Sequence, residues 1–246
     1  MVDGAGRAAV ATFYAPGEWP ARVSLDEGAA HHAAVKRLAE GDPVRLTSGD
    51  GRRVHGTIVT LGRRRLEVEC DHASLELVPP PPHVTLCAPI GDRDRMLLLA
   101  EKAVELGASA WRSVAYRRSR SVNPRGEGQA FREKLHLRMV AALEQCGGAW
   151  LPMVEPESDA ETLISAAVSG HAILFDAFGQ PFAEVISGVH APLMLACGPE
   201  GGLEPAERAA FADNGWRAAS LGANVLRFET AGIAGLALAR ALLRST

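Results

Sequence analysis

Hydrophobic residues are spaced differently in the two parts of the chain. Upstream of residue 79, short runs alternate between apolar and polar positions: Val44 to Thr47, Val54 to Val59 and Leu66 to Cys70. Gly/Asp turns such as Ser48-Gly49-Asp50-Gly51 separate them, and alternation of this kind predicts β-hairpins with one wet face. A helical stretch, His31 to Leu38, precedes them, so a small barrel or half-open sheet is expected. Downstream the apolar runs become continuous: Val84 to Ala88, Ala172 to Phe175 and Leu193 to Cys197. Such runs predict strands buried on both faces. Helices are predicted over Met96 to Leu106, Phe131 to Gln145, Pro205 to Ala212 and Thr230 to Leu243, with a short strand at Arg217 to Leu221. Strands alternating with helices imply a parallel α/β sheet. Pro79 to Pro82, with fixed φ and no backbone donors, marks a stiff boundary between the two patterns.

Composition narrows the classes. The 246 residues carry a net charge of −3, so no global basic field announces a nucleic-acid partner. Charge is uneven, however: Arg112 to Arg138 holds eight Lys/Arg against two acids. That stretch is either a solvated helix face with its loops or a local surface for phosphates. No run is long enough to span a bilayer, and Met1 to Ala11 lacks a secretory pattern, so a cytoplasmic protein is expected. The four cysteines are far apart with no CxxC pair, which argues against zinc and against a disulfide framework. No other metal ligand set is visible.

Two segments carry candidate chemistry. Gly198-Pro199-Glu200-Gly201-Gly202 follows a buried strand and precedes a helix, where glycines let a ligand approach the backbone. A tight turn needing glycine for its own geometry is the plain alternative. The string is neither a P-loop nor a dinucleotide fingerprint, which disfavours a nucleotide-dependent dehydrogenase. The second segment, Leu221 to Thr230, also lies between strand and helix, and its apolar members suit an adenine ring. Arg227 and Glu229 at its exit are either functional or an ion pair at a helix start.

Taken together, GPEGGL and LG..VLR.ETA over Gly198 to Ala231 resemble the signature of the ribosomal RNA uridine-N3 methyltransferases (the RsmE family) of the SPOUT class. Lys102 to Gly107, Glu144-Gln145-Cys146-Gly147 with Pro152, and His31-His32 with Lys36-Arg37-Leu38 and Gly41-Asp42 resemble further family segments along nearly the whole chain. The resemblance implies a PUA-like RNA-binding barrel over 1–78, a proline linker over 79–82, and over 83–246 a SPOUT α/β domain with a C-terminal trefoil knot. It implies S-adenosyl-L-methionine as cofactor, small-subunit (16S) ribosomal RNA or the 30S subunit as substrate, N3 of a specific uridine as acceptor, and a homodimer with active sites at the interface.

Carried over by position, the cofactor set is Leu174, Phe175, Leu195, Gly198, Glu200, Gly201, Leu221, Gly222, Val225, Leu226 and Thr230. Arg227 and Glu229 are the catalytic candidates, with Arg227 set to steady a uracil carbonyl or a nearby phosphate. Glu229 or Glu200 could accept the N3 proton, or serve structure. His32, Arg37, Arg118 and Arg120 are the RNA candidates. The chain departs from the family pattern at Gly148, where arginine is common, and at Phe228, where threonine is common. The arginine of the family's SER segment is either Arg118 or Arg120. Two other readings remain: a SPOUT enzyme for another RNA position, and a non-catalytic ribosome-assembly protein on the same fold.

Overall fold

The structure, a computed structural model, describes residues 11–119, 128–166 and 171–243. The chain divides into two units: Met1–Pro80 with Val140–Leu151, and Pro81–Met139 with Pro152–Thr246.

The first unit is a five-stranded sheet. Its strands are β1 (Thr12–Tyr14), β2 (Arg22–Leu25), β3 (Pro43–Thr47), β4 (Arg52–Leu61) and β5 (Leu66–Leu77), with helix α1 (Glu27–Val35) between β2 and β3. The order is β1-β3-β4-β5-β2, antiparallel except for the β1–β3 pair. Alternation points Leu46, Val54, Ile58, Leu66 and Val68 inward with Phe13 and the alanines of α1. Helix α1 starts one turn earlier than its apolar pattern suggests, because the Asp26 side chain accepts from the Ala29 amide at 3.0 Å. It stops before Leu38 because Arg37 adopts φ 57°. Residues 140–151 belong to this unit through polar contacts. Glu144 accepts from the Tyr14 amide at 2.9 Å and meets His32 Nδ1 at 3.0 Å. Trp150 donates to the Val78 carbonyl at 3.0 Å.

In the second unit the strands are β6 (Val84–Pro89), β7 (Ala110–Ala115), β8 (Met153–Val154), β9 (Ser158–Asp159), β10 (His171–Pro181), β11 (Leu193–Cys197) and β12 (Arg217–Ser220). The helices are α2 (Arg93–Glu105), α3 (Gln129–Cys146, whose end from Val140 counts with the first unit), α4 (Ala160–Ala166), α5 (Phe182–Val185), α6 (Pro205–Asp213) and α7 (Phe228–Leu242). The sheet order is β12-β10-β11-β6-β7-β8, with β9 also on β7, and every pair is parallel. Every residue of β6 is buried, as its unbroken apolar run requires. Strands β7, β1 and β2 carry no comparable run in the sequence and come into view only through their pairing. Strand β10 outruns its apolar core: its register against β12 shifts between Phe175 and Gln180, so 176–179 bulge from the ladder.

From the sheet-edge strand β12 the chain returns to the middle of the sheet, where α7 packs on β6, β11 and α2. Two glycines permit the approach. A Cβ on Gly232 would stand 2.8 Å from Leu99 Cδ1, and one on Gly235 would stand 2.0 Å from Phe175 Cζ. A glycine inside a helix ordinarily costs about 1 kcal/mol relative to alanine; here it lets the helix lie against the Phe175 ring. Gly235→Ala is therefore expected to lower stability by about 1–3 kcal/mol, the usual cost of overpacking, despite the gain in helix propensity. Denaturant unfolding checks this, and an unchanged or raised midpoint would show that the ring yields freely.

Candidate active site

The carboxyl ends of β10, β11 and β12 converge on one cavity of about 220 Å³. Its walls are Phe175 to Phe178 at the bulge of β10, Cys197 to Pro199 with Gly202 and Leu203 at and beyond the end of β11, and Leu221, Gly222 and Asn224 to Leu226 after β12, closed by Phe228 and Ala231 of α7. This is where parallel sheets place ligands. The walls are mostly apolar. Among the described residues no backbone hydrogen bond is donated by Leu221 to Arg227, so that loop keeps its amides for another acceptor. Gly222 holds φ 147° with nothing within 4 Å of a notional Cβ, leaving bare backbone at the rim.

A second cleft of about 290 Å³ lies against the first, and Pro199 and Phe228 form walls of both. Its other walls are Pro89 to Gly91, Arg118, Ser119, Glu200 and Gly201. Arg118 donates to the Gly201 carbonyl at 2.7 Å, and a Cβ on Gly201 would lie 3.1 Å from that of Arg118. Gly201 thus gives Arg118 its seat. Arg95, in the first turn of α2, ties the two loops together. Its guanidinium bonds Glu200 of the first loop, and its Nε lies 3.8 Å from Glu229 Oε1 at the start of α7. Glu229 is buried, and among the described residues its Oε2 has no hydrogen-bond partner.

The structure thus brings eight of the residues named for the cofactor to the two cavities: Phe175, Gly198, Leu221, Gly222, Val225 and Leu226 to the first, Glu200 and Gly201 to the second. Leu174 and Leu195 sit in the buried interior of β10 and β11, and Thr230 faces solvent on α7. Arg227 is exposed at the N-cap of α7 and lines neither cavity. In the first unit, His32 is half-buried against Glu144, while Arg37 is exposed. Arg120 lies outside the described residues, as does part of the basic stretch around it. Phe228 both packs inward and walls the cavities. At Gly148 a Cβ would fall 2.9 Å from Leu143 Cδ1, so the arginine common there in the family would require the Leu143 side chain to shift.

Arg95, Asp176, Phe178 and Arg208 carried no signal in the sequence. Folding sets Arg95 beside the two loops and Arg208 at the wall of the first cavity. Among the described residues no group of His, Cys, Asp and Glu is arranged to hold a metal, and no helix is long and apolar enough to cross a membrane.

Comparison with known proteins now supplies the class. Residues 79–240 match the RNA methyltransferase domain and residues 25–70 the RNA methyltransferase PUA domain. A ribosomal RNA small subunit methyltransferase E of Mycobacterium bovis is 30% identical over 218 residues, covering 85% of this chain and 81% of its own length. Among solved structures, a ribosomal RNA small subunit methyltransferase E of Neisseria gonorrhoeae, bound to S-adenosyl methionine, aligns with a TM-score of 0.82 at 25% identity, covering 94% of this chain and 97% of its own. A Legionella pneumophila protein described as a methyltransferase, in complex with the bound cofactor SAM, aligns with a TM-score of 0.84 at 26% identity, covering 96% and 98%. The chain belongs to the ribosomal RNA small subunit methyltransferase E family. The fold class follows: a PUA-like N-terminal sheet and a SPOUT-type parallel α/β unit.

Burial also sorts the thiols. Cys87 is fully enclosed and its pKa is pushed up to about 12, while enclosure raises that of Cys197 further. Cys146 is exposed and Cys70 half-buried. Because thiolate is the reactive form, Ellman's reagent at pH 8 is expected to take Cys146 at once, Cys70 slowly, and the other two only in denaturant. Rapid native reaction of Cys197 would mean that the cavity floor is open.

Proposed function

We propose that this protein uses S-adenosyl-L-methionine to methylate N3 of a uridine in small-subunit ribosomal RNA, with the cofactor in the first cavity and the target base in the cleft beside it. The observation that carries the reading is the convergence of two sequence-distant loops, 198–203 and 221–226, on one apolar cavity with unspent amides. The residues present suit the cofactor: apolar side chains for the adenine faces and free N–H groups for its edge nitrogens. When bound, the cofactor supplies a methyl group on a sulfonium sulfur.

The chain's own part is alignment and charge placement. Holding acceptor and donor in line at a shared wall, Pro199 and Phe228, lowers the barrier by several kcal/mol as effective molarity. Uracil N3 must lose its proton before it can attack. Of the two carboxylates considered for that proton, Glu200 lines the cleft whereas Glu229 is buried in the first turn of α7. The acceptor role is therefore assigned to Glu200, and Glu229 positions Arg95. Arg118, on the cleft wall, is placed beside the uracil ring. Arg227, exposed at the loop exit, is assigned to an RNA phosphate. The basic residues of the stretch and of the PUA-like sheet serve the same purpose, and the active form is taken to be a homodimer in the cytoplasm.

Incubation with labelled cofactor and 30S subunits from a strain lacking this protein, followed by nucleoside mass spectrometry, is expected to yield 3-methyluridine. Another methylated nucleoside would refute the assigned position, and no transfer despite cofactor binding would favour an assembly protein. Arg227→Ala is expected to cut kcat/KM about 10- to 100-fold, the value of a lost charged hydrogen bond, with cofactor affinity unchanged by calorimetry. A matching collapse of cofactor affinity would contradict the phosphate role. Glu200→Gln is expected to slow single-turnover transfer more than Glu229→Gln does; the reverse order would exchange their roles.

A further inference from the structure

Among the described residues the cofactor cavity is lined by two charged side chains, Asp176 and Arg208, and they are paired. Asp176 sits at the start of the β10 bulge, with its side chain 6% exposed. One carboxylate oxygen accepts from the Phe178 amide at 2.9 Å, and the other accepts from Arg208 Nε at 2.7 Å. Both oxygens are therefore engaged from within the protein. Arg208, from α6, is bound through Nε alone among the described residues, and its side chain remains 44% exposed. Its guanidinium carbon lies 5.8 Å from the centre of the Phe178 ring, which is itself 89% exposed. The arrangement fixes the plane of a guanidinium at a cavity wall and leaves its terminal Nη donors unspent.

A fixed guanidinium with both Nη groups free is shaped for a carboxylate, which it holds through two parallel bonds. On the reading of the cavity given above, the ligand carries one carboxylate, at the end of its amino-acid tail. We propose that Arg208 receives the carboxylate of the cofactor's methionine moiety, and that Asp176 is the positioning residue that orients it. A ribose diol on Asp176 is the obvious competitor. With the side chain 6% exposed and each oxygen already accepting one bond from the protein, little of the carboxylate faces a ligand, whereas Arg208 is 44% exposed.

Two ligands separate the tail from the nucleoside: S-adenosylhomocysteine, which has the amino-acid end, and 5′-methylthioadenosine, which lacks it. Isothermal titration of the intact protein is expected to show tighter binding of S-adenosylhomocysteine. Arg208→Ala should weaken S-adenosylhomocysteine about 10- to 100-fold, the scale of a charge-assisted hydrogen bond, and leave 5′-methylthioadenosine within about twofold. Arg208→Lys should recover part of the loss, because a lysine restores charge without the fork. Asp176→Asn should weaken the first ligand selectively as well. Retained binding of 5′-methylthioadenosine also reports that each variant is folded. If Arg208→Ala weakens both ligands alike, Arg208 is part of the wall and the proposal is wrong. If it weakens neither, the carboxylate goes elsewhere and the proposal is equally wrong. If the unmodified protein binds neither ligand, the assignment of the cavity itself fails, and this inference with it.

Discussion

The site depends on how closely α7 lies against the sheet. Gly232 and Gly235 face Leu99 and Phe175 where any side chain would collide, so the helix settles onto β6 and β11 rather than standing off. That seat draws the preceding loop, 221–227, back from the edge strand β12 over the carboxyl ends of β10 and β11. Without it the loop would hang beside the sheet and the cavity would lose a wall. Arg95 then fastens the loop's exit to the GPEGG turn through Glu229 and Glu200. The pairing lies at a partly covered surface, where a guanidinium shared by two carboxylates is better retained than an isolated exposed pair.

Each cavity wall is doubly used. Phe175 floors the cavity and is also the surface on which Gly235 rests; Phe228 divides the cavity from the neighbouring cleft and begins α7. Binding and folding are therefore coupled at the same residues, and a ligand that fills the cavity stabilises the fold by an amount that grows with its concentration relative to Kd. The strand ends supply rigidity, while the loops supply unspent donors and bare backbone. That division suits a reaction in which positioning does most of the catalytic work.

Much of this was legible in the chain. Continuous apolar runs marked β6, β10 and β11 because strands covered on both faces have no polar side to show. The helices α2, α3, α6 and α7 emerged from apolar spacing, with ends at most three residues off, where caps such as Asp92 decide the start. Strand β7, with Arg112 and Ser113 at its centre, gave no such signal. The two loops could be picked out, yet their meeting could not, since it follows from the return of α7 and not from any local pattern. Arg208 and Asp176, 32 positions apart, carry no shared local signal in the chain, and only the bulge of β10 sets them together at a cavity wall.

Hydrogen–deuterium exchange with and without S-adenosylhomocysteine addresses the central claim, that two distant loops make one cofactor cradle, most directly. The account predicts that peptides covering 198–203 and 221–227 gain protection together, at the same ligand concentration, with little change in β7 or α3. Protection of one loop without the other, or protection centred elsewhere in the chain, would contradict it.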